Sequence, residues 1–191
     1  MINIRYAQIR ECDVSNGEGV GVALFVQGCP FNPHCYNCFN PETWDFNGGK
    51  EWTPEVEEKF IKLASRPYIK RISILGGEPL ADENVDGVLN LINKIRLLMP
   101  NKTIWIYSGY TWNEIWDCDT NGEDIYGKTW QGWAINTIKR QEILKQCDIF
   151  VDGRYVDKLR DISLHWRGSS NQRVIDLQES LKQNKVVLHC E

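Results

Sequence analysis

No stretch of this chain approaches the ~18 consecutive apolar residues that a membrane-spanning helix requires. Its start, Met1-Ile2-Asn3-Ile4-Arg5, lacks the basic region, apolar segment and small-residue cleavage site of a secretory signal, so a cytoplasmic protein is expected. Repeats, low-complexity tracts and long Pro/Gly/Ser linkers are missing too, which leaves no solenoid and no evident boundary. With 191 residues, one domain spanning 1–191 is expected. Strong charge of either sign is absent: 22 Lys+Arg against 26 Asp+Glu leave a net charge of −4. That argues against a general binder of phosphate backbones, and no nucleic-acid or membrane partner is expected. Apolar residues at 42% and charged residues at 25% exclude bulk disorder. What stands out is seven cysteines, an odd number. In a chain that looks cytoplasmic, metal or redox chemistry is a better reading than a disulfide scaffold.

Short β-branched runs alternate with helical patterns. Val20–Gln27 reads as a buried strand. Thr53-Pro54-Glu55 reads as a helix start, with Thr as cap and Pro at the first helical position, followed by Val56, Phe60 and Leu63 at helical spacing. Arg71–Leu75 is a strand, and Val85, Val88, Leu89, Ile92 and Ile95 stripe a helix that ends before Pro100. Thr103–Tyr107 is a strand, Ala134–Gln146 a helix, and Ile149–Val151, Val174–Ile175 and Val186–Leu188 are further short strands. Such alternation predicts βα units on a parallel sheet. A full eight-fold barrel needs about 250 residues. The expected fold is therefore α/β, a partial (β/α) barrel of five to six mainly parallel strands, with an open α/β sheet also fitting the length.

The unusual residues follow these strands. Gly28–Cys38 follows the first, Gly76-Gly77-Glu78-Pro79 the second, Ser108-Gly109 the third and Asp152-Gly153 the fourth. Parallel α/β folds place their active sites at such carboxyl ends. Cys29, Cys35 and Cys38 lie on a loop stiffened by Pro30 and Pro33, spaced C-x5-C-x2-C. Thiolates suit zinc or iron–sulfur centres. Three of them suit a cubane cluster with one open iron. Zinc with His34 or Cys12 as fourth ligand is an alternative, and unligated thiols another. Two glycines after a strand are most often a tight turn, but they also allow close backbone approach by a ligand, and Glu78 could receive an ammonium.

Together the thiol loop and the Gly-Gly-Glu-Pro turn resemble the radical S-adenosylmethionine (SAM) enzymes, and more narrowly the small glycyl-radical activases. The matching segments are Gly17–Cys29, Cys35–Trp44, Leu75–Leu80, Ile106–Trp112, Asp148–Tyr155 and Arg167–Asp176, in family order. The superfamily usually spaces its cluster cysteines C-x3-C-x2-C, so the first gap here is two residues longer. Asn37, flanked by Tyr36 and Phe39, stands where the superfamily often has an aromatic before its third cysteine. The resemblance implies that Cys29, Cys35 and Cys38 hold a [4Fe–4S] cluster. It implies that SAM chelates the open iron, and that Gly76, Gly77, Glu78 and Pro79 contact SAM, with Asn37, Cys38, Phe39 and Ser108 as neighbours. No catalytic residue is implied beyond the cluster and the SAM site. One electron from the reduced cluster would split SAM, and the 5′-deoxyadenosyl radical would take a hydrogen from a glycine Cα. The implied partner is the catalytic subunit of an anaerobic ribonucleotide reductase, with flavodoxin or ferredoxin as electron donor. Rival readings are another small radical SAM enzyme, such as a 7-carboxy-7-deazaguanine synthase, and a non-catalytic zinc-binding interaction module. Only four cysteines lie outside the loop, so two further [4Fe–4S] clusters of four ligands each are impossible.

Other features carry less. Asp117–Gly122 opens like a calcium loop, but Lys128 stands at its twelfth position, so a solvated turn is expected. Trp112, Trp116, Trp130 and Trp133 crowd one window and suit either loop packing or a docking surface. Trp105 is expected in the core or lining. Arg154, Arg167 and Arg173 could meet the SAM carboxylate or the partner. His165 and His189 have no expected partner, and Cys12, Cys118, Cys147 and Cys190 no expected ligand role.

Overall fold

The computed structural model describes residues 4–116 and 130–190, without the side chains of 130–134. Eight strands form one mixed sheet: β1 (Arg5–Asp13), β2 (Gly21–Val26), β3 (Lys50–Glu51), β4 (Arg71–Gly76), β5 (Thr103–Tyr107), β6 (Ile149–Asp152), β7 (Arg173–Asp176) and β8 (Leu188–Cys190). Their order is β3-β1-β2-β4-β5-β6-β7-β8, so the sheet is open. Only β2, β4, β5 and β6 run parallel to their neighbours within the centre; β1 and β3 flank them antiparallel on one side, β7 and β8 on the other. The expectation of five to six mainly parallel strands is corrected accordingly. The reason is connectivity, because a parallel neighbour needs a long crossover and an antiparallel one does not. Seven residues join β1 to β2, and the chain between β6 and β7 holds only one short 3₁₀ turn, Asp157–Leu159.

Five helices complete the described chain: α1 (Pro54–Ala64), α2 (Val85–Leu98), α3 (Trp112–Trp116), α4 (Trp130–Gln146) and α5 (Leu177–Gln183). The Thr53 hydroxyl accepts from the Val56 amide 3.4 Å away, capping α1 as its sequence predicts. Alternate strand residues face opposite ways. Val22, Leu24, Ile72, Ile74, Ile104, Ile106 and Phe150 join the apolar residues of the helices in the main core. Ala23, Phe25, Leu75, Trp105, Ile149, Val151 and Val174 form two smaller clusters that contain no helical residue. That second face also carries Arg71, fully buried, whose guanidinium pairs with Asp13 at 3.0 Å and bonds the carbonyls of Asp13 and Glu18. It thereby fixes the β1–β2 turn at the amino ends of the parallel strands.

Trp112 and Trp116 pack against this main core, with rings 5.2 Å apart, which favours the packing role over an exposed docking role. The Asp117–Gly122 turn, Cys118 and the side chains of Trp130 and Trp133 lie outside the described residues. Among those described, no helix is long and apolar enough to cross a membrane.

Candidate metal centre

Parallel pairing of β2, β4, β5 and β6 brings their carboxyl ends to one edge. The loops there are stitched through the backbone. Gly77 N–H donates to Val26 O at 2.9 Å, Glu78 N–H to Gly28 O at 2.7 Å, Ser108 N–H to Val151 O at 3.0 Å and Gly153 N–H to Tyr110 O at 3.2 Å. A cavity of about 580 Å³ opens along this rim and down the helix-free face of the sheet. Cys29, Cys35, Cys38, Phe39, Gly76, Gly77, Glu78 and Ser108 all line it. Asn37 is exposed and Pro79 buried, and neither is among the lining residues.

The longer first gap of the thiol loop is used for anchoring. Phe31 is 5% exposed, sits 5.1 Å from the Tyr110 ring, and lies under the Arg154 guanidinium at 3.9 Å. Gly109 admits it, since a Cβ there would come within 2.3 Å of the Phe31 ring. His34 stacks on Trp44 at 4.2 Å. Cys29 N–H donates to Trp44 O at 3.0 Å, and Cys38 N–H to Cys35 O at 3.2 Å. Asn37 takes φ +54 in this last turn, a conformation that Asn tolerates better than most residues. Burial pushes the Cys29 thiol up to about 11, with smaller contributions from Glu78 and the other two thiols. Burial, then Cys38, also raises Cys35, opposed by Arg154 and by the Tyr155 amide. Burial thus keeps Cys29 and Cys35 protonated in the free protein, and a bound metal would deprotonate its thiol ligands outright. The residues present therefore fit a cluster.

Zinc would need a fourth ligand beside the thiols, and neither Cys12 nor His34 lines the cavity with them. Cys12 lies on β1 beside the Asp13–Gly21 pairing, at the far end of β2 from the thiols. The His34 Nε2 is buried without a partner, and the residue is not among those lining the cavity.

The Gly-Gly-Glu-Pro turn shows why glycine is needed. Gly76 has φ +114, and a Cβ on Gly77 would fall 2.2 Å from Gly28 O. Glu78 is fully buried. Its Oε1 accepts from the Ser108 hydroxyl at 2.7 Å and Leu80 N–H at 2.9 Å, and its Oε2 from Gly109 N–H at 2.7 Å. Burial pushes this carboxyl up to about 7 against those three donors. The carboxylate thus ties the end of β4 to the end of β5. Arg140 of α4 supports the turn from behind, donating to Leu80 O at 2.8 Å.

A lobe between β6 and β7, residues 153–172, walls the remaining side. Its Gly-Ser-Ser-Asn-Gln segment is the stitching: Gln172 Oε1 accepts from Gly168 N–H at 2.9 Å, Gln172 Nε2 donates to Gly153 O at 2.9 Å, and Asn171 Nδ2 donates to Arg154 O at 2.8 Å. Phe39 packs on Tyr155 with centroids 4.9 Å apart, and Gly168 leaves room for it. Of the three candidate arginines, Arg154 and Arg167 line the cavity. Arg173 is bound to Asp152, a 1%-exposed carboxylate that also accepts from Trp112 N–H at 2.8 Å. His189 is not partnerless: its Nε2 lies 3.2 Å from Glu18 Oε1 and its ring packs on Trp105. Cys147 is fully buried, Cys190 half-buried and Cys12 exposed. Phe31, Trp44, Tyr107, Trp166 and Gln172 are lining residues that sequence reasoning did not single out. The resemblance segments covered Trp44, Tyr107 and Gln172 without marking them as site residues.

Comparison with known proteins gives the family. A family described as a 4Fe-4S single cluster domain matches residues 15–175. An anaerobic ribonucleoside-triphosphate reductase-activating protein of Escherichia coli (strain K12) is 34% identical over 177 residues, covering 92% of this chain and all of that protein. A protein of the same name from Vibrio cholerae is 33% identical over 88% of this chain and 96% of its own length. One from Enterobacteria phage T4 is 32% identical over 90% and 93%. Similarity of this extent, with the family match running through the thiol loop, shows that the chain belongs to the family of anaerobic ribonucleoside-triphosphate reductase-activating proteins and carries a 4Fe-4S single cluster domain.

Proposed function

We propose that this chain is a radical SAM activase. Acting as one domain, it would bind a [4Fe–4S] cluster through Cys29, Cys35 and Cys38, bind SAM beside it, and generate a glycyl radical on the catalytic subunit of an anaerobic ribonucleotide reductase. The observation that carries the reading is the convergence of three thiols and a side-chain-free Gly76-Gly77 edge on one cavity. When bound through Cys29, Cys35 and Cys38, the cluster would supply the one-electron chemistry that cleaves SAM and ends in hydrogen abstraction from the partner's glycine Cα.

The chain's own residues hold and shield. Gly76 and Gly77 offer SAM a close backbone approach, and Cys38, Phe39 and Ser108 border it. Glu78 positions that edge through Ser108 and Gly109. Pro79 and Asn37 complete the two turns, Pro79 as a further SAM contact and Asn37 as a neighbour. Phe31 and Trp44 keep the loop packed, which would limit water around an unselective radical. Reduced flavodoxin or ferredoxin would supply the electron.

Protein reconstituted anaerobically with iron and sulfide should convert SAM to 5′-deoxyadenosine under a strong reductant. With the reductase subunit present, a glycyl radical signal should appear by electron paramagnetic resonance. A preparation with an intact cluster that leaves SAM uncleaved ends the radical SAM reading. Cleavage without a radical on the subunit ends only the partner assignment.

A further inference from the structure

Three observations meet on the lobe wall of the cavity. Trp166 holds φ +56, a backbone region that bulky residues rarely occupy. Such strain persists only where the surroundings over-determine it, and it gathers at ligand clamps. Here the surroundings are aromatic: the indole meets Trp105 edge-on at 5.1 Å and lies 5.9 Å from the His189 ring. His189 is in turn held by Glu18. Next along the chain, Arg167 has a buried Nε that meets no hydrogen-bond acceptor. Buried N–H groups are nearly always paired, so this donor marks an acceptor that the chain itself does not supply. Both side chains line the cavity that also holds the three thiols.

Glycine has no side chain to recognise. A site that selects it must read flat peptide faces and carbonyl oxygens. An indole face and a guanidinium provide those two contacts. Arg173 is engaged by Asp152 and Arg154 sits over Phe31, so neither guanidinium takes this place.

We propose that Trp166 and Arg167 form the subsite for the partner's glycine-bearing peptide, with the indole against the glycine peptide plane and the guanidinium donating to an adjacent carbonyl. The inference rests on the glycyl-radical reading above. Both residues are positioning groups: they hold the Cα–H toward the SAM carbon without taking part in the hydrogen transfer.

The test uses the reconstituted full chain with the intact reductase subunit, comparing wild type, W166F, W166L, R167K and R167Q. Misplacing the target by about 1 Å should lower radical transfer by about a hundredfold in W166L and R167Q. W166F and R167K should recover part of that loss. Iron content, SAM affinity and partner-free SAM cleavage should stay at wild-type levels in all four. A glycine-deuterated subunit should pass less deuterium into 5′-deoxyadenosine with W166L and R167Q. Wild-type radical yield in these two variants overturns the proposal. So does weaker SAM binding by R167Q, which assigns the guanidinium to the SAM carboxylate, and so does cluster loss, which assigns the pair to the lobe's folding. If wild type itself leaves no radical on the subunit, the underlying activase reading has failed instead.

Discussion

The two faces of the central sheet come from the same strands and differ in almost every physical respect. On the helix side, β2, β4, β5 and β6 present Val22, Leu24, Ile72, Ile74, Ile104, Ile106 and Phe150, all fully buried and all apolar. On the other side the same strands present Arg71, Ser73, Trp105 and Tyr107, and residues of that face line an open cavity. One face is a close-packed interior whose energy scales with apolar area. The other holds Arg71 and Ser73 in fixed hydrogen bonds and leaves room for ligands. A period of two along each strand is enough to build both. The lesson is that the cavity opens on the face that carries polar side chains, and that the buried charge of Arg71 is held there by Asp13 and backbone carbonyls.

The largest break in this contrast is a cavity-side change without a fold cost. Cys35→Ala should abolish the cluster absorbance and with it SAM cleavage, while the helix-side core keeps the protein folded by circular dichroism. Full absorbance would remove Cys35 from the ligand set. Next is Arg71→Met, which removes the buried partner of Asp13 and leaves it Asn16 and the more exposed Arg10. It should lower stability by about 3–5 kcal/mol in urea unfolding. A helix-side truncation, Ile74→Ala, should cost about 2–5 kcal/mol while iron content per folded molecule stays unchanged. Loss of iron at unchanged stability would mean that the faces are coupled.

Glu78 sharpens the contrast through pH. Its folded pKa is about 7 against an ordinary 4.5, so the folded state holds its proton more tightly. That contribution is complete below pH 4.5 and is lost as pH rises through 7. Glu78→Gln does not titrate, so its melting temperature should gain on wild type across that window. A difference that stays constant with pH would show that Glu78 is ionised throughout. The smallest effect is on the helix side: Thr53→Ala should cost about 1 kcal/mol by removing the α1 cap.

Legibility in the sequence followed the same division. Thr103–Tyr107, the capped start of α1 and the α2 stripe were readable because apolar period and capping residues agreed locally. β1 was not, since Arg5, Gln8, Arg10 and Glu11 interrupt any apolar run on a half-buried strand. α5 was missed because seven residues are too few for a helical stripe, although Asp176 caps it. At the site, the thiols and the Gly-Gly-Glu-Pro turn were visible as dense local motifs. Glu78 stands out as part of that turn, but its bonds to Ser108, Leu80 and Gly109 leave no mark in the sequence. Trp166 and Phe31 gave no signal, because a positive φ and a ring wedged under Arg154 exist only once distant segments meet.

Chemistry resided in the sequence by itself: three clustered thiols after one strand, a glycine pair after the next, and strand–helix alternation that puts both on one edge. These are local properties, set by residue type and spacing. Antiparallel flanks, the lobe that closes the cavity and the assignment of each buried charge were decided by tertiary structure. They depend on which polar group finds a partner when the chain is compact, and contacts across tens of residues leave no local pattern to read.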